Sequence, residues 1–188
     1  MASAFSHAIA AIALGNVSNL QGSKNLEGSI KQPIKFWMLA AFCAVIPDAD
    51  VIGFKFGVAY ESMFGHRGFT HSIVFALLLA VVVVILFFKD AEANTKRFYV
   101  LVFFFFCCAI SHAVLDAMTT GGLGVAFFSP FSNERYFFPF HPIKVSPLTI
   151  QQFFGEWGWR VIKSELLWVW LPSGVVIAVM QIIRKFKS

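Results

Sequence analysis

Two histidines flank an arginine in His66-Arg67-Gly68-Phe69-Thr70-His71-Ser72, directly before a long uncharged run. Imidazole is a common ligand for divalent metals, and guanidinium grips phosphate or carboxylate oxygens through two parallel hydrogen bonds. Residues five apart sit about 140° apart around a regular helix, so His66 and His71 converge only if the intervening segment is irregular. Gly68 permits that. His112 and Asp116 are four apart and share one helix face, where they could hold one ion together or hydrogen-bond between packed helices. Asp48 and Asp50 follow Pro47 and offer two hard oxygen ligands for zinc, magnesium or manganese, or else a polar turn. Arg67 could salt-bridge to Asp48 or Asp50, or steady an anionic substrate.

The elements that carry these residues are membrane-like. Hydrophobic residues make up 58% of the 188-residue chain against 13% charged, mean hydropathy is +0.73 and there are 24 Phe, a composition no soluble globule accommodates. The length suits a single domain over 1–188. The expected fold is all-α, a multi-pass transmembrane bundle of about five helices. Residues 8 to 14 form a short or tilted helix. Pro33 to Ile46 form a second, ended by Pro47, after a polar loop from Gln21 to Gln32. Ser72 to Phe88 form a third, capped by Thr70 or Ser72, and Phe98 to Met118 a fourth. Ser164 to Ile183 form the fifth, interrupted at Pro172. Between the last two, Thr119 to Trp159 is rich in Gly, Pro and aromatics and predicts an irregular cover over one face. Cys43, Cys107 and Cys108 lie in apolar runs and suggest no disulfide. The first residues lack a basic cluster, so a retained amino terminus is expected. The net charge of +5 is scattered, which fits membrane orientation and not nucleic-acid binding.

If the five helices alternate in direction, His7, Asp48, Asp50, His66, His71, His112 and Asp116 all fall at one membrane face. Nine of the 15 Lys and Arg fall at the other, so the positive-inside bias puts the site on the non-cytoplasmic side. Four His and three Asp exceed the ligand needs of one catalytic zinc, and crowded carboxylates near a low-dielectric membrane call for cations; two or more divalent ions are expected. His141 is expected to anchor an interfacial loop. Arg135 is a candidate for a phosphate or lipid headgroup, or a snorkelling arginine, and Glu165 a supporting residue or a snorkelling charge.

His7, Pro47-Asp48-Ala49-Asp50, the His66 to Ser72 stretch, His112 to Asp116 and the following Thr119 to Pro147 together resemble the LexA-regulated membrane-bound metal-dependent hydrolases, also called YdjM-like inner-membrane proteins. The resemblance implies a bacterial inner-membrane location and, through similarity to the zinc-dependent phospholipase C and P1-nuclease group, a helical multi-metal phosphodiesterase centre. The expected function is a metal-dependent hydrolase acting on a phosphoester of a membrane lipid or lipid-linked phosphate. Metal-activated water would be the nucleophile, Asp48 or Asp50 the base, and Arg67 the group holding the departing charge. The alternative is a metal-ion or proton transporter using the same His and Asp. Transport sites favour broken helices near the midplane, whereas these motifs lie at helix ends, which favours the enzyme.

Overall fold

A computed structural model describes residues 1–18, 33–147 and 149–187, and the Gln21 to Gln32 loop expected from sequence lies outside them. The described residues form helices and no strands. α1 is Ala4–Ser18, α2 Pro33–Val45, α3 Ile73–Phe87 and α4 Lys96–Ala117. A four-residue turn, Ile150–Phe153 (α5), precedes one long rod made of Glu156–Glu165 (α6), a π turn Leu166–Trp170 and Leu171–Lys187 (α7). Three stretches are long and apolar enough to cross a membrane: Ile34–Phe56, Lys96–Ala117 and Glu156–Phe186. At 1.5 Å per residue α4 reaches about 33 Å, enough for a hydrocarbon core of about 30 Å, while α1 and α3, with 15 residues each, reach only about 22 Å.

α4 packs against α1, α2 and α3, and α7 leans on α1. Small residues make the close approaches. α3 turns Ala76, Ala80, Val83 and Val84 inward while Leu77, Leu78, Val82, Ile85 and Leu86 stay exposed, as expected of a helix solvated by lipid. The aromatic ring of Trp37 lies where Gly15 would carry a Cβ, so glycine is what lets α1 meet α2. Phe36 stacks on Phe104 with ring centroids 4.7 Å apart, and Cys43, Cys108 and Ala109 complete this apolar core. The three cysteines are free.

Caps fix both ends of α3. Ser72 Oγ accepts from the Phe75 N–H, and Lys35 Nζ donates to the Phe87 carbonyl at 2.6 Å. Of the two capping residues the sequence allowed, Ser72 serves. Thr95 caps α4 in the same way.

α1 runs over Ala4–Ser18 where residues 8 to 14 are expected, and three further boundaries differ from expectation. Pro47 ends the α-helical hydrogen bonding of α2, yet the chain runs on as a 3-10 helix, Ile46–Phe56, where the proline occupies the first turn and needs no donor. The last helix begins at Glu156, not Ser164, because Gly158, Val161 and Glu165 recur on one face and bury there while Trp157 and Trp159 stay outside. It also passes Pro172 unbroken. The preceding π turn, in which the Leu171 N–H reaches back to the Leu166 carbonyl, makes room for a residue that cannot donate.

The cover exists but stops at about Pro147. It is irregular, with two isolated bridges, Thr119 with Ile143 and Val125 with Tyr136. It is tied to the bundle by Phe138 N–H to the Ala117 carbonyl, Ala126 N–H to the Arg67 carbonyl and Ile73 N–H to the Phe127 carbonyl. Phe128, Phe131 and Phe140 remain outside, as befits an interfacial surface.

Candidate metal centre

The helices alternate so that the amino ends of α1 and α3, the carboxyl ends of α2 and α4, and the head of the long rod meet under the cover. Each contributes a polar side chain where its apolar run stops. At the opposite end lie Lys35, the Asp90–Arg97 ion pair and the bond from Arg184 to the Asn16 carbonyl. The convergence expected from hydropathy is therefore what the fold builds.

His71 Nε2 faces His112 Nε2 at 3.0 Å. Asp48 Oδ1 lies 3.3 Å from His112 Nε2 and 3.6 Å from His71 Nε2, and Asp116 Oδ2 lies 3.6 Å from His71 Nε2. All four residues are buried, and one ligand atom from each lies within 4.8 Å of the others. Four ligands placed about 2.0–2.1 Å from a tetrahedral zinc stand about 3.3–3.4 Å apart, so these separations bracket those of a filled site. Both oxygens of Asp48, Oδ2 of Asp116 and both ring nitrogens of His7 are buried without a hydrogen-bond partner. Buried polar atoms are rarely left so, and orphaned acceptors around one point fit a cation.

The tautomers are prearranged. His112 Nδ1 donates to the Ala44 carbonyl at 2.7 Å, which leaves its Nε2 lone pair aimed into the cluster. His71 Nδ1 lies 3.3 Å from Asp50 Oδ2 and 3.1 Å from Thr70 Oγ1. Burial opposes a charge on His71, but the carboxylates of Asp116, Asp48 and Asp50, each within 3.6 Å of a ring nitrogen, outweigh it and push this imidazole up to about 10. Without an ion, His71 holds the proton that lets these carboxylates coexist.

Asp50, His66 and His71 form a second group with ligand atoms equally close. The two groups share His71, through Nε2 in one and Nδ1 in the other. Asp50 differs from Asp48 in being well supplied: His66 Nδ1 lies 2.7 Å from Oδ1, while Oδ2 accepts from Thr70 Oγ1 at 2.6 Å and from the Arg67 N–H at 3.1 Å. His66 and His71 converge because the chain between them is not helical. Arg67 takes φ 62°, a left-handed conformation uncommon outside glycine, and carbonyls of Met63 and Gly65 crowd the place where Gly68 would carry a Cβ.

Arg67 is fully buried, and its salt bridge is not to Asp48 or Asp50. Nε lies 3.0 Å from Asp116 Oδ2, Nη1 donates to the Gly121 carbonyl and Nη2 to Thr119 Oγ1. The guanidinium reaches past the near aspartates because its own backbone N–H already binds Asp50. Asp116 also accepts from the Ala2 N–H at 2.7 Å. His7 stacks on His112 with centroids 3.8 Å apart and stands 3.5 Å from Asp116 Oδ1, beside the converging atoms and outside both ligand groups.

The outer candidates have structural partners. Arg135 donates to the carbonyls of His66, Tyr60 and Ser62 and stacks on Tyr60, so it clamps the loop before the motif instead of facing a headgroup. Glu165 does not snorkel: it is buried and accepts from the Ser3 N–H and Ser3 Oγ, fastening the start of the chain to the long rod. His141 stays exposed against Phe137, away from the cluster. The sequence reading missed Thr70, Thr119 and the Gly121 carbonyl as braces. Thr70 lies inside the motif and Thr119 three residues past Asp116, but only contacts between distant segments reveal what they hold.

A family model described as YdjM inner membrane protein matches residues 1–187. The chain is 41% identical over 153 residues, 81% of its length, to the inner membrane protein YbcI of Escherichia coli (strain K12), of which the match covers 87%. No solved structure matches. With a family match over nearly the whole chain, a close curated relative and helices able to span a bilayer, the chain belongs to the YdjM family of inner membrane proteins.

Proposed function

We propose that this protein is a membrane-bound metal-dependent hydrolase that cleaves a phosphoester of a lipid or lipid-linked phosphate on the non-cytoplasmic side of the inner membrane. The observation that carries the reading is Asp48: a buried carboxylate with neither oxygen hydrogen-bonded, whose Oδ1 faces the Nε2 atoms of two histidines. A buried aspartate without donors is costly unless a cation completes it.

Asp48, His71, His112 and Asp116 would hold one divalent ion, zinc by its mixture of imidazole and carboxylate. Asp50, His66 and the other face of His71 would hold a second. Four protein ligands would fill the first site, so the open position at which an ion could make water a nucleophile at neutral pH would belong to the three-ligand group of Asp50, His66 and His71. The protein's own groups do the rest. The water oxygen would bond to phosphorus as the ester P–O bond breaks; Asp48 Oδ2, which points at no donor, would take the water's proton and pass it to the departing alkoxide, which leaves as the alcohol. Arg67 touches no substrate in this account. It fixes Asp116 through Thr119 and Gly121 and is a positioning residue. A transport reading would rest on Asp48, which sits where α2 gives way to the 3-10 helix, but His71, His112 and Asp116 lie where α3 begins and α4 ends, which favours the hydrolase.

The test is hydrolysis of bis(p-nitrophenyl) phosphate and of phospholipid by zinc-loaded protein in detergent. Turnover that is abolished by chelation, restored by zinc and lost in Asp48→Asn is the expected result. A folded protein that holds zinc stoichiometrically and hydrolyses neither would overturn the hydrolase reading, and zinc uptake by proteoliposomes would replace it with transport.

A further inference from the structure

Met38, Ala41, Phe42 and Val45 recur at the spacing of one face of α2, and they line a groove of about 550 Å³ that continues past Ile46 and Ala49 to Asp48. Its volume falls within the range of about 300–1,000 Å³ usual for small-molecule sites, but its walls are apolar and it lies on a helix able to span the membrane. Met38 and Phe42 are exposed along it, and small Ala41 leaves a trough between them. From Met38 to Val45 the groove runs about 10 Å along the helix axis, toward the end of the bundle where the cluster lies. Of the four residues in the first ligand group, Asp48 alone lines the groove and keeps 8% of its surface against at most 1% for the others, with both carboxylate oxygens buried behind that surface. A comparable apolar groove of about 310 Å³ between α1 and α4, lined by Leu14, Val17, Val100 and Phe103, ends on no such residue.

We propose that the α2 groove seats a hydrocarbon tail of a membrane phospholipid, entering sideways from the bilayer, with its phosphate at the Asp48 end. The inference rests on the hydrolase reading for what happens to that phosphate, and names the substrate as one taken directly from the lipid phase. Continuity decides the occupant: a trough that opens on lipid along a spanning helix and closes on a candidate metal ligand is accessible to a molecule that is apolar along its length and anionic at one end. A water-soluble phosphoester would gain nothing from these walls.

The experiment uses the full chain, zinc-loaded, in nanodiscs of phosphatidylethanolamine and phosphatidylglycerol containing a trace of phosphatidylglycerol with a photoactivatable diazirine in its tail. Peptide mapping should find adducts on residues 38–46 several-fold above those on residues 100–107, which line the control groove, and Ala41→Trp should remove the excess. Equal labelling of both grooves means general lipid contact and overturns the proposal. In parallel, Ala41→Trp should lower phospholipid hydrolysis on the order of tenfold while leaving bis(p-nitrophenyl) phosphate hydrolysis and zinc content within about twofold. An equal loss on both substrates overturns the groove and leaves the hydrolase standing. Adducts concentrated on the α2 groove with no hydrolysis of either substrate keep the groove and remove the hydrolase.

Discussion

His71 and His112 meet Nε2 to Nε2 at 3.0 Å across 41 residues of sequence. If neither Nε2 carried a hydrogen, two lone pairs would meet there and repel, so a proton or a metal ion must lie between them. In the metal-free protein the raised affinity of His71 for a proton places it there; in the proposed loaded form an ion would replace it, with Asp48 and Asp116 completing the shell.

Because His71 belongs to both ligand groups, its removal should cost more metal than removal of any residue found in one. Purified wild-type protein is expected to carry about two divalent ions. His112→Ala and His66→Ala should each lower the content by about one, and His71→Ala should nearly abolish it. Elemental analysis after gel filtration reads this directly, and equal losses in all three variants would refute the shared-ligand arrangement.

Metal binding should also be proton-linked. The folded value of His71 is raised from an ordinary 6.5 to about 10, so its proton stabilises the metal-free fold fully below about pH 6.5, and that contribution is lost as pH rises through about 10. The ion bound at Nε2 must displace that proton, so affinity for this first zinc should rise by about tenfold per pH unit below about pH 10, and an ion at Nδ1 would displace the second ring proton. Competition against a chelator of known pH dependence, at pH 7 and pH 8, tests the slope. A flat profile would mean that His71 is neutral without metal.

Arg67→Met should remove the cation nearest to buried Asp116, leaving it His71 and the Met1 ammonium, a loss on the order of 3 kcal/mol. Zinc at the neighbouring site supplies positive charge to the same carboxylate, so the fall in melting temperature should be larger in chelator than in zinc. An equal fall in both would show that Arg67 and the ion do not share Asp116.

Gly122 takes φ 90°, and a Cβ there would stand 2.7 Å from Tyr60 Oη and 2.8 Å from Arg67 Nη1. Gly122→Ala should destabilise by about 1–3 kcal/mol through backbone strain and displacement of the guanidinium. Thermal unfolding measures it, and unchanged stability would show that the cover does not hold Arg67 in place.

Much of the fold was legible because membrane helices announce themselves by apolar length. The alternation of helix directions then brought His71, His112, Asp48 and Asp116 to one end without any contact information. What lies between distant segments was not legible. Asp48 and Asp50 look equivalent in sequence, and only the structure shows that Thr70, His66 and the Arg67 backbone supply Asp50 and leave Asp48 bare. That Arg67 would brace a carboxylate of the pocket was legible, but which one was not: a left-handed turn at Arg67 itself sends the guanidinium to Asp116 and not to Asp48 or Asp50. The irregular cover was expected to run on to Trp159, yet Gly158 is buried in α6 where the α5 backbone leaves no room for a Cβ, so here glycine serves packing within a helix.

The account stands most directly on what surrounds the metal. X-ray absorption at the zinc edge of detergent-purified, zinc-loaded protein should show a shell of nitrogen and oxygen alone, at about 2.0–2.1 Å, with the outer scattering of imidazole rings. A shell containing sulfur would transfer the ion to Cys43, Cys107 or Cys108. That shell, or an ion held without imidazole, would contradict a centre built from Asp48, His71, His112 and Asp116.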